Sequence, residues 1–460
     1  MRSGFGQDIR STEGLPCYDI AVRVDVSKLS LSGRERLFFT NRETAALDAL
    51  YFRLFPRADV IYGGAMTVVE AKVNGHDTAT EVTLEDGTAL RIALPDSLAP
   101  GDQVTVDLEF EAQVPQDFGG NVETSEAYGI FNYTSGVMTM ANWYPILAVY
   151  DGGTWRLQPV SGEGDAVFSE SALYHVEVET DPNVTVVSTG HAISRRSTPS
   201  GDVIHEVVSG PVRDFILVLS KQFQAARREQ DGVRVNSYYL PQDSGPATRG
   251  LDFTLNALSA YEKLFGPYPY GELDVVEVPL NRAAGVEYPG LFLVAQYLYQ
   301  GEESPFFEFV IGHESAHQWW YGVVGNDVLS SPWLDEALAN YSTALYMEQI
   351  HGATGLQRTL SFWEETRQQW EADHADEPVA QPLINFQGRE QDYGVVVYVK
   401  GALFFQALRE EIGDAAFFAA LRRYYADHRY GVAQPVDLLT TFEMASGQDL
   451  GALYDQWGVR

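Results

Sequence analysis

His313 and His317 stand four positions apart, with Glu314 between them, in Gly312-His313-Glu314-Ser315-Ala316-His317; Glu336 follows after eighteen intervening residues. On a helix, positions i and i+4 share one face, so the two imidazoles can offer nitrogens to one metal ion. A fold that uses them must keep this stretch helical and bring another ligand against it. Glu336 is the candidate, near the start of a second apolar-periodic stretch from Leu334 to Ile350. Ser304 and Pro305 read as N-cap and first residue of the His-bearing helix, with Phe306, Phe309 and Val310 on its buried face. Two histidines and one carboxylate leave one position of a tetrahedral zinc open, the arrangement of a catalytic site. Glu314 is then placed to take a proton from water activated at that one zinc ion.

At 460 residues the chain has material for two to three domains. Its formal charge of −33 excludes nucleic-acid binding as the default, because no basic cluster is present to neutralise phosphates. The single cysteine, Cys17, permits neither an intrachain disulfide nor a thiolate zinc cluster. No apolar run approaches the ~18 residues of a spanning helix. Residues 1–16 lack the apolar segment of a signal peptide and read as a poorly ordered N-terminal segment. A soluble protein is expected, cytoplasmic or exported with its leader outside these residues.

From 17 to 218 the text is strand-like. Residues 18–24 and 104–110 alternate apolar and polar, and similar runs recur at 35–40, 49–54, 173–180 and 203–208. This predicts a large antiparallel sheet or sandwich. The stretch 116–165, rich in Gly, Asn, Tyr and Met, interrupts it as a long irregular loop system, which is a functional signal as well as a packing one. Further strands are expected at 215–218, 233–240 and 273–278. Helical periodicity governs 251–265, 305–321, 334–350, 355–371, 400–411, 414–426, 435–446 and 449–457. Strands first and helices later make an α+β chain, with a boundary near 215–222.

The His-Glu-x-x-His motif with Glu eighteen residues on, followed through Trp333-Leu334-Asp335-Glu336-Ala337, resembles the aminopeptidase N family of zinc metallopeptidases. The resemblance implies an N-terminal β-sandwich-like domain over 17–218 and a thermolysin-like, mainly helical catalytic domain over 219–460. It makes His313, His317 and Glu336 the zinc ligands and Glu314 the general base. Ala284-Gly285-Val286-Glu287-Tyr288 is similar to the family's substrate-binding segment, so Gly285 is expected at substrate and Glu287 on its free α-amine. Tyr393-Gly394-Val395-Val396-Val397-Tyr398-Val399-Lys400-Gly401 is similar to a second family segment. It makes Tyr398 the hydroxyl that stabilises the oxyanion, with Tyr393 supporting. Asp335 is expected to orient a ligand imidazole.

One family element is missing. The Glu or Gln that the family places ahead of its first-domain proline corresponds here to Gly136, and Glu126 is the nearest acidic residue before it. Met138 and Met140 are expected to line the specificity pocket. The family's large helical C-terminal domain does not follow Arg460, which predicts a cleft more open to long peptides. The expectation is a monomeric zinc aminopeptidase acting on peptides with a free N-terminus. The alternatives are a zinc endopeptidase with an open cleft, and a catalytically silent binding module.

Overall fold

The computed structural model describes residues 12–118, 128–300 and 304–460; residues 1–11 and Glu126, for which the sequence raised expectations, lie outside them. The alternating segment Cys17–Asp25 is a strand whose even-numbered residues are buried. It pairs antiparallel with Ser30–Thr40, setting Val22 against Gly33. Its other neighbour, Leu173–Thr180, runs parallel to it. The expected all-antiparallel sheet is thus mixed, because the chain returns to this strand only after the long excursion that a parallel pairing requires. Eight strands form this sheet, and two four-stranded sheets pack with it. One of the smaller sheets contains Val137–Met140 beside Leu217–Ser220.

The sheet changes between Leu217–Ser220 and the next strand, Gln224–Gln230. From there a five-stranded sheet orders its strands 224–230, 233–239, 272–278, 291–295 and 285–288. Its core strand Glu272–Val278 is buried on both faces from Leu273 onward, as expected for a strand inside a mainly parallel sheet covered on both sides. Helix α1 (Ser244–Phe265) makes the crossover between the parallel strands 233–239 and 272–278. The edge strand Gly285–Tyr288 packs against helix α2 (Pro305–Ala316). That contact brings the Glu287 segment beside the histidines.

Helix α2 begins as its sequence indicates, with Ser304 Oγ accepting from the Phe306 amide at 3.2 Å and Pro305 in the first turn. Its buried face is rotated from the expected one: Phe307, Val310 and Ile311 face the core, whereas Phe306 is exposed. Phe306 and Phe309 stack on each other at the wall of a cavity instead. Helix α3 (Trp333–Glu371) is interrupted at Gly352, where φ is +67°. It therefore reads as the two periodic segments seen in the sequence. The short helix α4 (Glu390–Tyr393) leads into a wide π-helical turn, Gly394–Lys400, and then into helix α5 (Gly401–Asp427). Among the described residues no helix is long and apolar enough to cross a membrane.

Candidate active site

Helix α2 ends at His317, and the first turn of its partner α3 carries Glu336. One contact ties this helix end to α3 and two tie it to α1. The Tyr261 hydroxyl donates to the Gly312 carbonyl at 2.8 Å, Trp320 Nε1 donates to Ser342 Oγ at 2.9 Å, and Trp319 Nε1 donates to the Gly266 carbonyl at 2.9 Å. The Nε2 atoms of His313 and His317 consequently lie 3.1 Å apart, each 3.3 Å from Glu336 Oε2.

The donor chemistry fits a metal ion. A carbonyl can only accept, so the 3.0 Å contact between His317 Nδ1 and the Trp320 carbonyl places the proton on Nδ1 and leaves an Nε2 lone pair facing inward. Glu336 Oε2 and Glu314 Oε2 are buried and accept no hydrogen bond. Burial opposes ionisation of Glu336, but His313 and His317 against it hold its carboxyl well below the usual range. Three atoms with inward lone pairs, within 4.8 Å of one another, make a ligand set that a dication completes.

Glu314 is 4% exposed and turned to the other side of the same helix end. Burial pushes its carboxyl up to about 8. A group in that range can both take and return a proton near neutrality. Glu287, 7% exposed, is likewise raised by burial, to about 8. Its strand is clamped by Gln318, whose amide donates to the Tyr288 carbonyl at 3.0 Å and accepts from the Gly290 amide at 2.8 Å. Gly285 lies so near Glu314 that a Cβ there would overlap the carboxylate.

The π-helical turn brings in Tyr398, whose hydroxyl donates to Glu336 Oε1 and whose ring stacks on His313 at 5.9 Å. Asn340, one turn beyond Glu336, donates to the Tyr398 carbonyl at 2.9 Å. Tyr393 packs edge-on against Tyr398, with its own hydroxyl buried and unbonded. His313, Glu336, Glu314, Glu287, Tyr398 and Tyr393 open onto one cavity of about 400 Å³ between the β-rich half and the helices, with His317 buried behind them.

Most of the residues singled out in the sequence therefore meet: His313, His317, Glu336, Glu314, Glu287, Gly285, Tyr398 and Tyr393. Two expectations need correction. Met138 and Met140 are fully buried in their strand between two neighbours and do not line the cavity. Asp335 does not hold a ligand imidazole through a hydrogen bond. Its Oδ1 accepts from Asn326 at 3.1 Å, and the Trp320 carbonyl orients His317 instead. Sequence reading passed over Asp165, Asp214, Arg282 and Asn340 on the cavity wall. Asn340 was findable as the i+4 neighbour of Glu336; Asp165 lay in the irregular 116–165 stretch but carried no motif.

Residues 249–457 match the Peptidase family M1 domain. Endoplasmic reticulum aminopeptidase 1 of Mus musculus is 22% identical over 438 residues, covering 92% of this chain and 45% of that protein. Aminopeptidase N of Streptomyces lividans is 28% identical over 211 residues, 43% of this chain and 24% of its own. The chain thus spans at most about half the length of these curated relatives. The crystal structure of an M1 zinc metallopeptidase from Deinococcus radiodurans superposes with a TM-score of 0.73 at 20% identity, over 97% of this chain and 94% of that one. Its fold is shared across nearly the whole of both chains. The ligand set, the neighbouring glutamate and the matched segment together identify residues 249–457 as a Peptidase family M1 domain.

Proposed function

We propose that this protein is a zinc-dependent aminopeptidase that hydrolyses the first peptide bond of peptides with a free N-terminus. The observation that carries the reading is the convergence, on one cavity, of the His313–His317–Glu336 donor set, the buried base Glu314 and the carboxylate of Glu287. Zinc, when bound by those three donors, supplies Lewis acidity that polarises the scissile carbonyl and lowers the pKa of water.

Everything else is done by the chain. Glu314 accepts the proton of the attacking water and returns it to the leaving amine. The Tyr398 hydroxyl, which stays protonated at neutral pH, donates to the oxyanion as charge develops there. Glu287 pairs with the substrate's ammonium, and that pairing fixes cleavage one residue from the end. The backbone at Gly285 passes close enough to Glu314 for a substrate strand beside it to lie along the base.

The test uses two peptides identical except for an acetylated N-terminus, each with and without a zinc chelator. Chelator-sensitive release of the first residue from the free-amine peptide alone supports the reading. Chelator-sensitive cleavage of both peptides gives the endopeptidase instead, and cleavage of neither removes the activity altogether.

A further inference from the structure

The family's usual second amine-binding residue corresponds here to Gly136, which sits in the turn between strands Phe131–Thr134 and Val137–Met140 against the Gln222 side chain. It has no side chain to offer. A different loop reaches the place where such a residue is needed.

Residues 162–165 cross from the β-rich half to the catalytic cavity and are held there from three sides. The Tyr128 hydroxyl donates to the Gly162 carbonyl at 3.2 Å. Arg282 approaches Glu163 at 3.7 Å. Gly164, with φ at +61°, is pressed so closely on Tyr393 and Leu383 that an added Cβ would stand 2.8 Å from each. Both the positive φ and the close approach require glycine there. The consequence is that Asp165 is delivered to the wall of the cavity that Glu287 also lines, where burial and the Glu287 carboxylate raise its carboxyl well above the usual range.

Two carboxyl groups on the wall of one cavity call for a cation. Among the described residues no Lys or Arg forms an ion pair with either of them, and Arg282, the arginine on the cavity wall, is engaged with Glu163 and Glu390. Glu287 is more than nine-tenths buried and opens only onto the cavity. A primary ammonium, with three N–H donors and one positive charge, satisfies two such acceptors at once.

We infer that Asp165 is a substrate-binding residue of this chain, which with Glu287 holds the free α-ammonium of the peptide from the opposite domain. The inference rests on the aminopeptidase reading and deepens it: the second amine ligand has moved from the proline-motif loop to the 162–165 loop. The site then requires both domains, and its selectivity for free N-termini is shared between them.

The test compares zinc-loaded wild type with Asp165→Asn and Asp165→Ser, using a free-amine peptide and its desamino analogue. Zinc content and thermal midpoint are measured on the same samples. The expected result is a fall in kcat/KM of about tenfold to hundredfold on the free-amine peptide, mainly through KM, with zinc content intact and the desamino peptide unaffected. The preference for the free amine should shrink by the same factor in both variants. Unchanged kinetics, or an equal loss on both peptides, would overturn the assignment in favour of a structural aspartate. Wild type that fails to release the first residue from the free-amine peptide would instead overturn the aminopeptidase reading, and this assignment with it.

Discussion

Gly285 and Glu314 approach so closely that a methyl group on the first would occupy the space of the second's carboxylate. The edge strand 285–288 and helix α2 are therefore packed to the limit at the catalytic base. Gly285→Ala should displace Glu314 and lower kcat by about a hundredfold, since an ångström of misplacement has that cost. Zinc content should be retained, because His313 and His317 lie on the same helix but face Glu336. Full activity in the alanine variant would show that the strand yields freely.

Glu314→Gln tests the base itself. Oε2 accepts no hydrogen bond in the structure, so an amide can replace the carboxylate without breaking one. Turnover should fall by about 10² to 10⁴, the range of general acid–base contributions, with one zinc per chain still bound. Thermal stability should hold or rise, because a buried ionisable group has been removed. Loss of zinc along with activity would mean that Glu314 supports the ligands rather than the proton transfer.

Tyr398→Phe should lower kcat by roughly 10² to 10³ while leaving KM within a few-fold, the signature of an interaction made only in the transition state. The Tyr393→Phe variant should be milder, since that hydroxyl is buried without a partner and only packs on Tyr398. Equal effects from the two variants would point to a shared structural role.

Metal binding should be visible as stability. Two Nε2 atoms 3.1 Å apart beside a buried carboxylate are a favourable arrangement only around a cation. Zinc at a thousandfold above its Kd should add about 4 kcal/mol to unfolding, read as a raised midpoint. A chelator should reverse the gain, and His317→Ala should abolish it. A midpoint that ignores zinc would count against the ligand set.

Asp214 offers a pH test away from the metal. It is buried, accepting from Asn142 at 2.9 Å and from the Phe215 amide at 2.7 Å, and burial raises its carboxyl to about 6. The folded state therefore keeps a proton that the unfolded chain releases at lower pH. Its contribution to stability falls as pH rises from about 4 to 6, by roughly 3 kcal/mol in all, and is flat above that. Asp214→Asn should lack this slope, so its stability relative to wild type should improve across the same window. Parallel pH profiles for the two proteins would contradict the shift.

The sequence by itself determined the local pieces of this protein. Period-2 alternation marked strands such as Cys17–Asp25, and Ser304-Pro305 marked the start of α2. The i, i+4 spacing of His313 and His317 put two imidazoles on one helix face, because helical geometry is local and needs no partner. The motif segments likewise named Glu287 and Tyr398, although nothing in their spacing said that they would meet.

Tertiary structure decided what depends on long-range packing. It made the pairing of Cys17–Asp25 with Leu173–Thr180 parallel, since register and direction come from the return path of the chain. It buried Met138 and Met140, because both faces of their small sheet are covered by core. It gave His317 to the Trp320 carbonyl and Asp335 to Asn326, a choice set by ångström-scale side-chain packing. It also carried Asp165 to the same cavity wall as Glu287, 122 positions away in sequence (287 − 165), past Gly164, where Tyr393 and Leu383 leave no room for a side chain. A helix face is written in five consecutive residues, His313 to His317, whereas a cavity wall is assembled from segments that share nothing until the chain has folded.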